Sequence, residues 1–196
     1  FAENSPIENI KILNQIDCED IDIWFPIIHG ANGEDGSIQG LLKFTNKPYV
    51  GSSILGSALG MDKIAMKLIF SNLEIPQVNF FIIQDKNLDD KKNLKMICDQ
   101  IVNNLNFPIF IKPANSGSSI GISKVIHPSD ITEALQKAWS IDHRIIVEEG
   151  LEVRELEVGI IGKNRLIASE IGEVNYLSDW YDYNSKYKTN NKIIIP

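Results

Sequence analysis

The sequence predicts a mixed α/β (α+β) protein, in which a strand–helix layer is followed by a small α+β lobe. Three observations carry this. Short apolar runs end in polar glycine clusters, as at residues 21–28 before His29-Gly-Ala-Asn-Gly-Glu-Asp-Gly36. Between such runs lie stretches with apolar residues three and four apart, such as Ile131, Ala134, Leu135 and Ala138. Near residue 80 the order changes from strand–helix alternation to helix–strand–strand–helix–strand, and the last runs begin an antiparallel sheet.

Taken in order, residues 21–28 are nearly all apolar, which predicts a strand covered on both faces of a parallel sheet. The glycine-dense turn after it lies where open α/β sheets place ligands. Ser37 can cap a helix over 37–45, and Pro48-Tyr-Val-Gly51 reads as a short strand. Residues 55–73 read as one helix interrupted by Asp62-Lys63, and 78–83 as a strand. An amphipathic helix over 89–104 turns Leu94, Ile97 and Ile101, with Leu105 just beyond, inward. Pro128 starts a helix through Ser140, and 144–149 is a strand ending in two carboxylates. Residues 154–161 and 164–174 are strands joined by the turn Gly162-Lys-Asn164. Residues 175–192 are polar and aromatic with little periodicity, long for a loop in a compact domain, and read as functional or mobile.

Composition narrows the function. A chain of 196 residues with 43% hydrophobic content can bury a core, and a net charge of -7 argues against a nucleic-acid partner. An acidic protein that holds an anion must do so with local cations, so lysines inside small-residue loops gain weight. Cys18 and Cys98 lie far apart with no C-x-x-C pairing, which reads as a reduced cytoplasmic protein without a thiol-metal site. No apolar run approaches the roughly 18 residues of a membrane span. The chain starts at Phe1 and stops after Ile193-Ile-Ile-Pro196, which reads as an internal piece of a longer protein.

The organising stretch is Phe107-Pro-Ile-Phe-Ile-Lys-Pro-Ala-Asn-Ser-Gly-Ser-Ser-Ile-Gly121. A β-branched strand delivers Lys112 to its end, Pro113 is expected to stop the ladder, and a second strand returns over 120–126. Backbone N–H groups of a Gly/Ser loop can close on phosphate oxygens, and a lysine adds a point charge. An ordinary glycine-rich hairpin with a surface lysine is the alternative. The loop is not a Walker A motif, since no Gly-Lys-Ser/Thr follows, nor a dinucleotide fingerprint, since a strand follows it. Lys63 is a second cation in an apolar stretch, with a snorkelling surface lysine as its alternative. Glu148-Glu149-Gly150-Leu151 closes a strand where a carboxylate can accept from an adenine amino group, and Glu155 can accept from ribose hydroxyls. Alone, the first is equally a solvated acidic turn, and Glu155 is more often a surface residue.

Together these segments resemble the ATP-grasp superfamily, and within it the D-alanine–D-alanine ligases. The resemblance rests on His29-Gly-Ala-Asn-Gly-Glu-Asp-Gly-Ser-Ile-Gln-Gly40, Pro48-Tyr-Val-Gly51 and Ser57-Ala-Leu-Gly-Met-Asp-Lys63. It continues in Ile111-Lys-Pro-Ala-Asn-Ser-Gly-Ser-Ser-Ile-Gly-Ile-Ser-Lys-Val125, Arg154-Glu-Leu-Glu-Val158 and Tyr181-Asp-Tyr-Asn-Ser-Lys-Tyr187, and spans residues 25–196. It implies an ATP-grasp fold with part of an N-terminal parallel α/β (pre-ATP-grasp) domain. Residues 1–61 would belong to that substrate domain, 62–150 to the central small lobe with its leading helix, and 151–196 to the start of the catalytic domain.

The resemblance also implies an activity. ATP phosphorylates one D-alanine carboxylate, and the amine of a second D-alanine attacks the acyl phosphate, for peptidoglycan synthesis in the cytoplasm. Lys63 and Lys112 would hold the phosphates of ATP, and Ser118 and Ser119 the loop over the transferred phosphoryl. Glu148, Glu149 and Leu151 would form the adenine-reading hinge and Glu155 the ribose carboxylate. Lys186 and Tyr187 would lie on a loop over the site, while His29 and Glu34 would stand near the substrate amino acids. The expected partners are ATP, two D-alanines and a second copy in a homodimer, with neither nucleic acid nor membrane. The Tyr-Asp-Tyr-x-x-Lys-Tyr text favours dipeptide over depsipeptide formation. A D-alanine–D-serine ligase, another ATP-grasp carboxylate–amine ligase and a non-catalytic nucleotide-binding chain are the alternatives. The family's magnesium (or manganese) ligands are expected beyond Pro196, with none in this chain. Its oxyanion-stabilising arginine is also expected there, and the glutamate that orients the first D-alanine before Phe1. The 196 residues alone are expected to be inactive.

Overall fold

The computed structural model describes residues 18–84, 88–175 and 192–194. The chain divides into two compact units, Phe1–Gln77 with Ala114–Gly117 and Val78–Pro113 with Ser118–Pro196.

The first unit is built from helices α1 (Ser37–Lys43), α2 (Ile54–Met61) and α3 (Lys63–Asn72). The strand expected over 21–28 is reduced to one parallel bridge, Trp24 with Tyr49, and so is the strand expected at 48–51. Trp24 N–H donates to the Pro48 carbonyl and Val50 N–H to the Trp24 carbonyl, both at 2.9 Å. A strand needs a ladder on at least one side, and among the described residues no further rung adjoins this one. Phe25 and Ile27 are consequently exposed rather than buried.

The helix expected over 55–73 is two helices. Asp62 stands between them in an extended conformation (φ -82°, ψ 104°). It closes α2, and its carboxylate accepts from Ala65 N–H at 2.9 Å at the head of α3. An aspartate preferring the cap to the helix interior explains the break, which falls where Asp62-Lys63 interrupts the apolar positions. Ser37 is likewise not a cap. Gly36 occupies that position, and Asp35 accepts from Ser37 N–H at 3.0 Å.

The second unit contains a four-stranded antiparallel sheet in the order β1-β4-β2-β3. Its strands are β1 (Phe80–Ile83), β2 (Ile109–Pro113), β3 (Ser123–Val125) and β4 (Ile145–Glu149). Helices α4 (Lys91–Asn104) and α5 (Ile131–Trp139) cover one face. Period-2 alternation sends Ile109, Ile111, Val125, Ile145 and Val147 to that face, where they meet Ile97, Ile101, Ile131 and Leu135, all at 2% exposure or less. The inward stripes read from helical spacing are the ones buried, with Leu94 partly so. As expected, no ladder pairing continues past Pro113, the last residue of β2. It pairs with Ile145, and the chain leaves the sheet one residue later. Beyond the turn, Gly121 has φ 76°, and a Cβ there would come within 2.3 Å of Ile141 Cδ1.

The remaining strands form a three-stranded sheet, β5 (Glu155–Glu157), β8 (Gly172–Asn175) and β9 (Lys192–Ile194), and a two-stranded one, β6 (Ile160–Ile161) with β7 (Ile167–Ala168). The two long strands expected here are thus each broken in two. At the break Ser169 Oγ, rather than a carbonyl, accepts from Gly159 N–H at 2.9 Å. A side chain has replaced one rung of the ladder.

Candidate functional site

In the first unit the glycine-rich turn is wired by its own acids. Glu34 Oε2 accepts from Gly30 N–H at 2.6 Å, and Asp35 Oδ2 accepts from Asn32 N–H at 2.8 Å. The bond from Asn32 first, and those from Ser37, hold the Asp35 carboxyl below the ordinary aspartate range. His29 Nδ1 lies 3.9 Å from Glu34 Oε1. The buried Gln39 donates its amide N–H to the Gly33 carbonyl at 3.0 Å, pinning the middle of the turn from α1.

Lys63 opens α3 because Asp62 caps it, and both residues face the segment 114–117. Asp62 forms an antiparallel bridge with Asn115, and Lys63 N–H donates to the Ala114 carbonyl at 3.0 Å. The Lys63 ammonium donates to the Ser116 carbonyl and, at 3.4 Å, to that of Ala114. A Cβ on Gly117 would stand 3.5 Å from Gly30 Cα and 3.9 Å from Glu34 Oε2. Thus Lys63, Glu34 and the first half of the serine loop gather in one place.

In the second unit, antiparallel pairing sets Glu148 opposite Phe110 and Lys112 opposite Ile146. Alternation puts Phe110, Lys112 and Glu148 on the face away from α4 and α5. There the Lys112 ammonium donates to Glu148 Oε2 and lies 5.6 Å from the Phe110 ring centroid. Glu148 is 8% exposed, so its charge relies on that partner. Ser118 and Ser119, which continue the loop, are both left-handed, with φ of 51° and 58°. Two successive serines there cost roughly 1–2 kcal/mol each, and such strain gathers at functional loops.

Glu149, the neighbour of Glu148, points to the other face. Its Oε1 accepts from Asn106 N–H at 2.8 Å and from Asn106 Nδ2 at 2.9 Å, and its Oε2 from Asn79 Nδ2 at 3.0 Å. Leu151 is exposed just beyond, and Glu155 begins β5 opposite Val174. Next to it, Arg154 grips Glu173 through a two-pronged bond, Nε to Oε1 at 2.9 Å and Nη2 to Oε2 at 2.6 Å. That bond lowers the Glu173 carboxyl and raises the Arg154 guanidinium from their ordinary values. Lys186 and Tyr187 lie outside the described residues.

Sequence reasoning missed Asp62, Gln39, Asn79 and Asn106. Asp62 carried a signal, since aspartate three residues before a free helical N–H is a preferred cap. The two asparagines carried none, because their partner is distant in sequence.

Two family models match the chain. The one described as D-ala D-ala ligase N-terminus covers residues 3–52, and D-ala D-ala ligase C-terminus covers residues 69–196. Curated relatives named D-alanine--D-alanine ligase include one from Prochlorococcus marinus strain AS9601, 62% identical over 189 residues. Another, from strain MIT 9312, is 64% identical over the same length. Each match covers 96% of this chain but 53% of the relative, so the chain spans about half the length of these proteins. Among solved structures, the VanG D-Ala:D-Ser ligase from Enterococcus faecalis aligns at TM-score 0.74 and 35% identity, over 88% of this chain and 49% of that one. The D-alanyl-alanine synthetase A of Vibrio cholerae aligns at 0.74 and 30%, over 89% and 52%.

Proposed function

The chain belongs to the D-alanine–D-alanine ligase family, with the ATP-grasp fold of its structural relatives, and on that premise we propose that the protein carrying it joins two D-alanines at the expense of ATP. One D-alanine carboxylate oxygen attacks the γ-phosphorus and ADP leaves. The amine of the second D-alanine then attacks the acyl carbon, and inorganic phosphate departs with a proton lost from nitrogen. The product enters peptidoglycan precursor synthesis, in the cytoplasm.

The observation that carries this reading is the meeting of Lys112 with Glu148 on neighbouring strands. A cation suited to phosphate and a carboxylate suited to an adenine amino group share one face of one sheet. Bound ATP would take over both. Lys63 would add a second phosphate ligand, releasing the carbonyls it now serves, and Glu155 would accept from the ribose. Ser118 and Ser119 would offer N–H and hydroxyl donors to the transferred phosphoryl, and phosphoryl transfer needs chiefly such positioning and charge neutralisation. Glu34 and His29 would orient the amino acid, with Lys186 and Tyr187 closing over it to exclude water. Residues 1–61, 62–150 and 151–196 would be the parts of three domains, in a protein acting as a homodimer.

Magnesium accompanies ATP in such chemistry by shielding phosphate charge. Among the described residues no group of three carboxylates, histidines or cysteines gathers that could hold it. Also among the described residues, no helix is long and apolar enough to cross a membrane.

The test is to give the full-length protein ATP with D-alanine, and to measure phosphate release and dipeptide by mass spectrometry. One phosphate per D-alanyl-D-alanine is expected. If D-alanine stimulates no release while another amino acid does, the substrate assignment is wrong. The likeness to a D-Ala:D-Ser ligase makes D-serine the competitor to include, and a mixed dipeptide as dominant product would reassign the second substrate.

A further inference from the structure

We propose that Glu149 is a positioning residue of the nucleotide hinge, its carboxylate clasping Asn79 and Asn106 rather than reaching a bound adenine. The proposal rests on the ATP-dependent reading above and deepens it. Both carboxylate oxygens are already occupied, Oε1 by the backbone and side-chain N–H groups of Asn106 and Oε2 by the Asn79 amide. These donors come from two segments far apart in sequence, the approach to β1 and the turn between α4 and β2. The main chain ties the same corner, with Glu149 N–H donating to the Asn79 carbonyl at 3.0 Å and Gly150 N–H to that of Pro108 at 2.7 Å. A Cβ on Gly150 would come within 3.0 Å of both Phe110 Cε2 and the Pro108 carbonyl oxygen, so no side chain there can share the task. Strand alternation, finally, turns Glu149 away from the face that carries Glu148 and Lys112. The clasp therefore sets the angle at which the end of β4 presents Glu148 and the hinge backbone to the nucleotide.

The experiment uses the full-length protein with Glu149→Gln, Asn106→Ala and the two combined, titrated with ADP by calorimetry and assayed for the KM of ATP. Each single variant is expected to weaken ADP binding about three- to tenfold, the scale of one hydrogen bond lost, with the KM for ATP rising alike. The double variant is expected to be no worse than the weaker single one, because both break one clasp. A residue that served folding alone would instead lower kcat through a smaller folded fraction, at unaltered KM. If Glu149→Gln weakens binding while Asn106→Ala does not, the carboxylate meets the ring directly and the clasp is wrong. Additive losses, or two silent variants, overturn it as well. Should Glu149→Gln fail to fold, Asn106→Ala carries the test by itself. A wild-type protein that binds no adenine nucleotide would instead overturn the proposed function, an outcome separate from all of these.

Discussion

Lys112 and Glu148 neutralise each other across adjacent antiparallel strands, the ammonium of one donating to a carboxylate that is 8% exposed. Two effects are therefore mixed in any single substitution. Lys112→Ala should weaken ADP binding by about 1.5–3 kcal/mol, the worth of a hydrogen bond to a charged group. It should also destabilise the protein, because a largely buried carboxylate loses its counter-charge. The double change Lys112→Ala with Glu148→Gln separates the two. Urea denaturation should show stability recovering, while calorimetry shows nucleotide affinity still lost. Unchanged affinity in Lys112→Ala would remove this lysine from the site.

The serine loop trades stability against reactivity. Ser119 has φ 58°, a conformation glycine adopts without penalty. Ser119→Gly is expected to raise stability by up to about 1 kcal/mol, less the added freedom of the unfolded chain. If the hydroxyl serves phosphoryl transfer, the same variant loses kcat. A melt paired with a phosphate-release assay reads both, and a stabler variant with undiminished kcat would make the loop a spacer only.

The second unit depends on the layer between sheet and helices. Leu135 is fully buried among Ile109, Ile131 and the other core side chains. Leu135→Ala should cost about 2–5 kcal/mol, the range for emptying a leucine site in a well-packed core. A denaturant midpoint close to that of the wild type would mean that the helix repacks into the gap.

Acid should loosen the glycine-rich turn. The Asp35 carboxyl is held below its ordinary value of 3.8 by the bonds from Asn32 and Ser37. A carboxyl whose folded value is lowered stabilises fully above the unfolded value, and the contribution disappears as pH falls through the folded one. The contribution of Asp35 is thus complete above pH 3.8 and lost below it. Asp35→Asn should lower stability at neutral pH by about 1 kcal/mol, the scale of a lost cap, and the gap to wild type should close below that pH. Paired denaturation curves at several pH values check this, and a gap that widens in acid would contradict it.

Much of this was legible in advance, for reasons that differ from place to place. The core stripes of α4 and α5 were legible because burial imposes period 3.6 on long segments. The apolar run at residues 21–28 misled, since hydrophobicity records what a strand could bury and not whether a second rung adjoins it. Residues 55–73 misled differently: Asp62-Lys63 interrupts the apolar positions there, but the end of one helix and the start of the next are decided by one side-chain bond to Ala65 N–H. The role of Lys63 is tied to that break, which places it at a helix start beside the Ala114 and Ser116 carbonyls. Lys112 and Glu148 could each be named from the sequence, but their meeting is a matter of register, which no local pattern encodes. The Asn79 and Asn106 partners of Glu149 were invisible for the same reason.

The adjacent glutamates at the end of β4 look like a repeated letter, yet pleating gives them unrelated duties. There is no backup in the doubling: neither residue can stand in for its neighbour, because each addresses a different side of the ribbon. Deleting or inserting one residue within β4 would exchange their destinations, sending the clasp toward the lysine and the counter-ion toward the asparagines. Of all small lesions in this strand, a single-codon indel should therefore be the most damaging, worse than conservative replacement of either acid.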